Sequence, residues 1–252
     1  MALDGLVDTL DDTGFGKVTD FYGWTVRDEV MHLYFLDVLT LTTLQAEAEF
    51  LREVAAIRVW QKTGELSDYM RQRYAGLDRQ ALVAVWRDTY QRLAEVFAQS
   101  DPKARMKWFG PDMSVMAATS ARQMEVWAHG QDLYDLFGVR RINTDRIRFI
   151  CDLGVRTYGW TFRNRGMEPP GPPPEVVLTA PSGAIWRWND GEASASVAGP
   201  AAAFAAVVTQ RRHVDDTDLV LRGEAARQWM LLAQCFAGAP ADGPPARGLA
   251  PV

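Results

Sequence analysis

Residues 164 to 174 read NRGMEPPGPPP, with five prolines in one short stretch. Proline lacks the amide proton that a helix needs and clashes with the preceding turn, so no helix runs through this segment. Such a run favours an extended, semi-rigid linker. The texture of the chain also differs on its two sides. The reading is therefore a helical domain over 1–163, a linker over 164–174, a small mixed domain over 175–238, and a loosely held tail over 239–252.

Upstream, Thr25 precedes VRDEVMHLYFLDVLTLTTLQAEAEFLREVAAIRVWQ, and Asp28 stands three residues after it, the spacing of a capping box. Val26, Val30, Leu33, Leu41 and Leu44 fall near helical spacing, which predicts one long helix or two nearly continuous ones. A second helix covers 79–98 and closes at Asp101-Pro102. WFGPDMS, residues 108–114, is a turn in which Asp112 or Ser114 can cap the next helix. That helix runs from about Met113 to Phe137, and Gly138 suits its C-terminal stop. Asn143 or Thr144 opens another through about Phe162. Four substantial helices with short connections predict a bundle.

Downstream, EVVLTA, AIWRW and ASASVAG read as short strands. Pro181-Ser182-Gly183 and Asn189-Asp190-Gly191 form the turns between them. Gly199-Pro200 starts the helix AAAFAAVVTQ, DLVLRG is a further strand, and EAARQWMLLAQCFA a last helix. This order describes an α+β unit.

The totals narrow the function. A composition 48% apolar and 23% charged permits a sizeable core without staples. The net charge of −5 and the lack of a basic stripe argue against a nucleic-acid binder. No stretch is apolar enough to span a bilayer, and the acidic start MALDGLVDTLDDTG lacks the features of a secretory signal. Cys151 and Cys235, in no CxxC pattern, read as reduced, buried thiols. A cytoplasmic protein acting on a small molecule is expected, with a homodimer admitted and with neither nucleic acid nor membrane as partner.

The chain has three histidines. Glu125 and His129 are four residues apart on a helix and share a face. His32 lies among apolar residues on the earlier helix, where a polar ring needs a partner. A bundle can bring the two helices together. Two imidazoles and one carboxylate would leave a divalent ion with a net charge of +1 and an exchangeable position. Each residue has a plainer reading: helical Glu–His pairs are common, and lone core histidines are more often structural than ligating.

GWTVRDEVMHLYFLD, followed about ninety residues later by ARQMEVWAHGQDLYDLFG, resembles the DinB-like superfamily. It is most similar to the mycothiol-dependent maleylpyruvate isomerase branch of actinobacteria, and within it to metal-binding relatives rather than to the isomerase itself. The positions carrying the resemblance are Gly23, Trp24, Thr25, Asp28, His32, Leu33, Glu125 and His129. It implies an α+β protein: an N-terminal DinB-like helical bundle, then a small sterol-carrier-like α+β domain. It also implies that His32, Glu125 and His129 bind a divalent metal, zinc first, with nickel, iron or manganese as alternatives. Mycothiol is the implied cosubstrate. The segment before Trp24 is too short and Gly-broken for the family's full first helix, so either that helix is abbreviated or the start site is misassigned.

Around such a metal, Asp28 reads as a helix cap and Asp132 as solvated. Arg122 reads either as a clamp on Glu125 or as a surface residue. Trp24, Trp108 and Trp127 read as packing that could also line a pocket. Arg211, Arg212 and His213 form the basic cluster of the C-terminal unit. Charge at a helix C-terminus explains them. The functional alternative is that they hold a substrate anion and move protons. The leading expectation is a metal-dependent isomerase or S-transferase that uses a thiol. Its alternatives are a thiol-independent cyclase, hydratase, hydrolase or proton-transfer catalyst, a metal-stabilised small-ligand binder, and an iron oxygenase.

Overall fold

A computed structural model describes residues 2–191 and 194–248. The chain forms two units, Met1–Val139 and Arg140–Val252.

In the first unit, α1 (Ala2–Asp8) and α2 (Asp12–Phe15) precede α3 (Val26–Gln45), α4 (Glu47–Trp60), α5 (Leu66–Arg73) and α6 (Arg79–Gln99). A two-stranded antiparallel pair, β1 (Arg105–Met106) and β2 (Met113–Ser114), leads into α7 (Val115–Leu136). The central helix is α3, which packs against α4, α5, α6 and α7. Twelve of its twenty residues are buried, as expected of a helix with neighbours all round rather than one apolar stripe. Phe35, Phe50, Ile57, Leu82 and Trp86 fill the space beside it. Each side chain of this size contributes roughly 1.5–3 kcal/mol on burial.

The long periodic stretch is two helices, broken at Ala46, whose φ of −148° and ψ of 61° are non-helical. The segment before Trp24 forms two short helices instead of one long one. Arg87 on α6 holds the first of them through Asp4 and Asp8, both at 2.6 Å. Helix α5 was not expected. Its sequence LSDYMRQR is polar, and it buries only Met70.

In the second unit, a 3₁₀ turn (Asp145–Ile147) leads to α8 (Arg148–Arg156) and α9 (Tyr158–Arg163). Then come β3 (Glu175–Thr179), β4 (Ile185–Trp188), β5 (Ser196–Pro200), α10 (Ala201–Val208), a 3₁₀ turn (Val214–Asp216), β6 (Val220–Arg222) and α11 (Glu224–Leu232). The strand order is β4-β3-β5-β6. Strands β3 and β5 run parallel, with Val176 opposite Val197, and the other pairs are antiparallel. Ala193, at the start of the strand expected over ASASVAG, lies outside the described residues.

This unit corrects the expected boundary at 163/164. Helix α8 packs on α10, and α9 on α11. The apolar side of α8, including Ile150, Cys151 and Val155, is buried here, so these helices complete the mixed unit and not the bundle. Gly154 permits the approach: a Cβ there would stand 2.9 Å from Phe204 and Val208 of α10. The proline-rich stretch is thus internal to the second unit, where Tyr158 donates to the Gly171 carbonyl at 2.9 Å and Asn189 to the Pro174 carbonyl at 3.0 Å.

The tail is also held, through Gly248. Gln210 donates to the Ala241 carbonyl at 2.6 Å. Asp216 accepts from the amides of Arg247 and Gly248 at 2.9 and 2.7 Å. Residues 249–252 of the expected tail lie outside the described residues. No helix among the described residues is long and apolar enough to cross a membrane.

Candidate metal centre

Both ligand-bearing helices start at side-chain caps. At the head of α3, Thr25 Oγ1 accepts from the Asp28 amide at 3.2 Å and Asp28 Oδ2 accepts from the Thr25 amide at 3.0 Å. This is the capping box expected from the sequence. Arg71 also donates to both Asp28 oxygens, at 2.9 and 3.1 Å, so Asp28 serves the helix end. At the head of α7, Ser114 Oγ accepts from the Ala117 amide at 3.1 Å.

The two helices bring the three expected donors to one point. Glu125 Oε2 lies 3.3 Å from His32 Nε2 and 3.1 Å from His129 Nε2. The two imidazole centroids are 4.5 Å apart. Side-chain exposure rises from 4% at His129 through 13% at His32 to 22% at Glu125, so the cluster opens on the Glu125 side.

Behind His129 stands Glu29, a residue that sequence reasoning passed over. It is 1% exposed, and its Oε2 lies 2.5 Å from His129 Nδ1. Its other oxygen accepts from the Thr19 hydroxyl at 2.9 Å. A carboxylate accepts from a protonated ring nitrogen, so this contact turns Nδ1 towards Glu29 and leaves Nε2 to face Glu125. Either a proton or a metal ion between Nε2 and Glu125 Oε2 makes that contact favourable. His32 Nδ1 is buried with no hydrogen-bond partner, which leaves Nε2 as that ring's useful atom.

Two of the three donors are shifted towards their ligating forms. Burial and the nearby His129 ring push His32 below its usual range, towards the neutral form. Burial works against the Glu125 charge, yet the two imidazoles facing it hold its carboxyl well below the ordinary carboxylate range. Neutral imidazole nitrogens and an ionised carboxylate are the forms that ligate a metal. The donor set fits zinc, which takes nitrogen and oxygen ligands and keeps one position open in catalytic sites.

A tight hairpin covers the rings. Trp24 stacks on His129 at 5.9 Å and 8°, and lies 5.2 Å from His32. Phe21 meets His129 edge-on at 5.1 Å. Tyr22 (φ 49°) and Gly23 (φ 69°) are both left-handed, and the Trp24 amide donates to the Phe21 carbonyl at 3.0 Å. Two left-handed central residues are the mark of a type I′ turn. Of the three tryptophans considered, Trp24 is therefore the one that packs on both imidazoles. Trp108 stacks on Phe50, and Trp127 is buried.

Two nearby expectations are corrected. Asp132 is not solvated: its side chain is 9% exposed, and Oδ2 lies 3.9 Å from His129 Nδ1. It forms a second donor group with Glu29 and His129. Arg122 neither clamps Glu125 nor sits at the surface. It is buried and donates to Asp37 Oδ1 at 3.0 Å and to the Leu33 carbonyl at 3.2 Å. Burial pushes the Asp37 carboxyl up despite this cation.

Arg211, Arg212 and His213 belong to the second unit. Arg211 is buried and donates to the Thr209 carbonyl at 2.8 Å. His213 Nδ1 accepts from the Asp215 amide at 3.2 Å and caps a 3₁₀ turn. Arg212 and His213 line a cavity of about 200 Å³, shared with Val207, Met230 and Pro244. Both cysteines are free and buried, and burial pushes the Cys151 thiol up, away from the reactive thiolate.

The chain thus joins a helical bundle that carries a His–Glu–His donor cluster to an α+β unit. A family model described as the mycothiol maleylpyruvate isomerase N-terminal domain matches residues 1–134. The chain belongs to this family, in its maleylpyruvate isomerase branch. Two uncharacterised proteins from strains of Mycobacterium tuberculosis are each 37% identical to it over 241 residues, covering 96% of this chain and 93% of theirs. Two crystal structures share the fold at a TM-score of 0.52 and 16% identity. One is the mycothiol-dependent maleylpyruvate isomerase, with 83% of each chain covered. The other is a histidine-to-alanine mutant of that isomerase, with 87% of this chain and 86% of that one covered.

Proposed function

We propose that the protein is a divalent-metal-dependent enzyme that uses a small thiol, of the mycothiol type, to isomerise or S-transfer an unsaturated small metabolite. The observation that carries this reading is the convergence of His32 Nε2, Glu125 Oε2 and His129 Nε2 from two helices. Family membership and the mycothiol-dependent activity of the structural neighbours support the thiol.

His32, Glu125 and His129 would hold the ion. When bound, it supplies a positive charge that stabilises a thiolate at neutral pH. The chain's own residues do the rest. Glu29 orients His129 through Nδ1. Trp24 and Phe21 keep water from the faces of the imidazoles. The partial exposure of Glu125 leaves the side on which a thiol and a substrate would enter. In a thiol-based isomerisation the sulfur adds to one alkene carbon, the resulting single bond rotates, and elimination returns the thiol unchanged.

The test combines metal analysis with an assay. The purified protein is expected to hold about one equivalent of zinc or a related ion. It is expected to convert a cis-unsaturated dicarboxylate to its trans isomer only when mycothiol is added. Metal binding with turnover of small substrates in the absence of any thiol would replace this reading with the thiol-independent one. Failure of the wild-type protein to bind any divalent ion would remove it.

A further inference from the structure

We propose that Glu29 is a positioning residue that ties the metal centre to the aromatic hairpin over it, so that metal occupancy and hairpin order rise together. The proposal rests on the metal reading above and adds a path to it: hairpin, Thr19, Glu29, His129, ion.

Each link within the chain is a short contact, and Thr19, Glu29 and His129 are buried. The Thr19 hydroxyl reaches both the Trp24 carbonyl at 3.0 Å and Glu29 Oε1 at 2.9 Å. Its amide donates to the same Trp24 carbonyl at 2.7 Å. Thr19 is 3% exposed and Glu29 1%. Glu29 Oε2 then meets His129 Nδ1 at 2.5 Å. The hairpin returns to the same ring from the other direction, because Trp24 stacks on it and Phe21 abuts it.

Glu29 is not needed to start its helix, because Thr25 and Asp28 already cap α3. A carboxylate this buried is costly unless it is paired, and its partners are a hairpin hydroxyl and the outer nitrogen of a ligand imidazole. That geometry fixes which imidazole nitrogen faces the ion and strengthens it as a donor. It also anchors a turn that needs support, since Tyr22 has a left-handed backbone that a bulky residue rarely adopts.

The test uses zinc alone, measured by chelator competition on the full chain, with Glu29→Leu, Glu29→Gln and Thr19→Val. Loss of an outer partner of a ligating histidine costs about 10–100-fold in metal affinity. Glu29→Leu is expected to show a loss of that size. Glu29→Gln is expected to recover most of it, because its amide oxygen still accepts from Nδ1 and its amino group can donate to Thr19. Thr19→Val is expected to weaken zinc less than Glu29→Leu, while speeding amide exchange at Thr19 and Trp24. Unchanged zinc affinity in folded Glu29→Leu overturns the proposal and leaves the metal reading intact.

If the Glu29 variants do not fold, the unmodified protein decides. With cadmium as probe, nitrogen NMR is expected to show coupling to His129 Nε2, a proton on Nδ1, and slower amide exchange at Thr19 and Trp24 on loading. Coupling to Nδ1, or hairpin exchange indifferent to the ion, overturns it. A wild-type protein that binds neither zinc nor cadmium defeats the metal reading itself, which is a different result.

Discussion

The two units bury polar groups for different ends. In the first, buried charges on α3 face other side chains: Asp28 faces Arg71, Asp37 faces Arg122, and Glu29 faces His129. In the second, buried polar groups close loops on backbone atoms. Asp216 accepts the amides of Arg247 and Gly248, and Gln234 accepts that of Ala241. Groups held by other side chains can pass an effect from one to the next, whereas groups spent on the backbone fix a chain path. A cluster of the first kind can take up an ion. A cluster of the second kind keeps a fold closed.

Substitutions in each unit separate these two uses of buried polar groups. The largest effect is expected from His32→Ala or His129→Ala, each weakening zinc binding by more than about 100-fold, beyond the loss expected for an outer partner. Circular dichroism should show helical content largely kept, and full zinc occupancy in either variant would count against the site.

Next in size, Arg122→Met is expected to cost about 3–5 kcal/mol in denaturant unfolding, because it strands the buried Asp37 carboxylate. Adding Asp37→Leu should restore most of that stability, with zinc affinity near wild type throughout. If the double variant is no more stable than the single one, the Asp37–Arg122 pair is not what Arg122 supports.

In the second unit, Asp216→Ala is expected to cost at least about 1.5 kcal/mol, since it removes a charged acceptor from two amides. Exchange at Arg247 and Gly248 should speed up while zinc affinity stays the same. A change in zinc affinity would blur the distinction between the units.

The smallest effect concerns acid. Burial works to raise the Asp4 carboxyl, but the hydrogen bonds from Arg87 and Tyr90 outweigh it and leave its pKa below the usual 3.8. A carboxyl lowered in the folded state contributes stability that is complete above its unfolded pKa and lost as pH falls through the folded one. Between neutral pH and about pH 5 this contribution should be flat. Below 3.8 it should fade, and Asp4→Asn should flatten that part of the acid-unfolding profile. An unchanged acid limb in Asp4→Asn would show that Asp4 contributes nothing there.

Much of the first unit was legible in the sequence because its long helices carry both period and caps. Thr25, Ser114 and Gly138 mark ends that the structure keeps, and Gly138 has the left-handed φ of 62° expected of a helix stop. The i, i+4 spacing and the scarcity of histidine made the three converging donors candidates, and the resemblance to the family's paired motifs singled them out. Glu29 was not, because an acidic residue in a first helical turn is already explained by the helix dipole. A signal was nonetheless present: Glu29 precedes His32 by three and so shares its face. The placement of 145–163 was illegible for another reason. A helix pattern shows that one side must be buried but not what buries it, and the partner α10 lies more than forty residues on.

The caps of α3 and α7 also act as rotational origins. An α-helix turns about 100° per residue. His32 is seven residues beyond Thr25 and Glu125 eleven beyond Ser114, so each side chain returns within about 20° of the bearing of its own cap. One residue inserted between cap and ligand would leave the helix whole and swing that ligand about 100° aside. These two intervals therefore act as angular gauges, and a chain of this kind can lengthen its loops far more freely than it can alter either count.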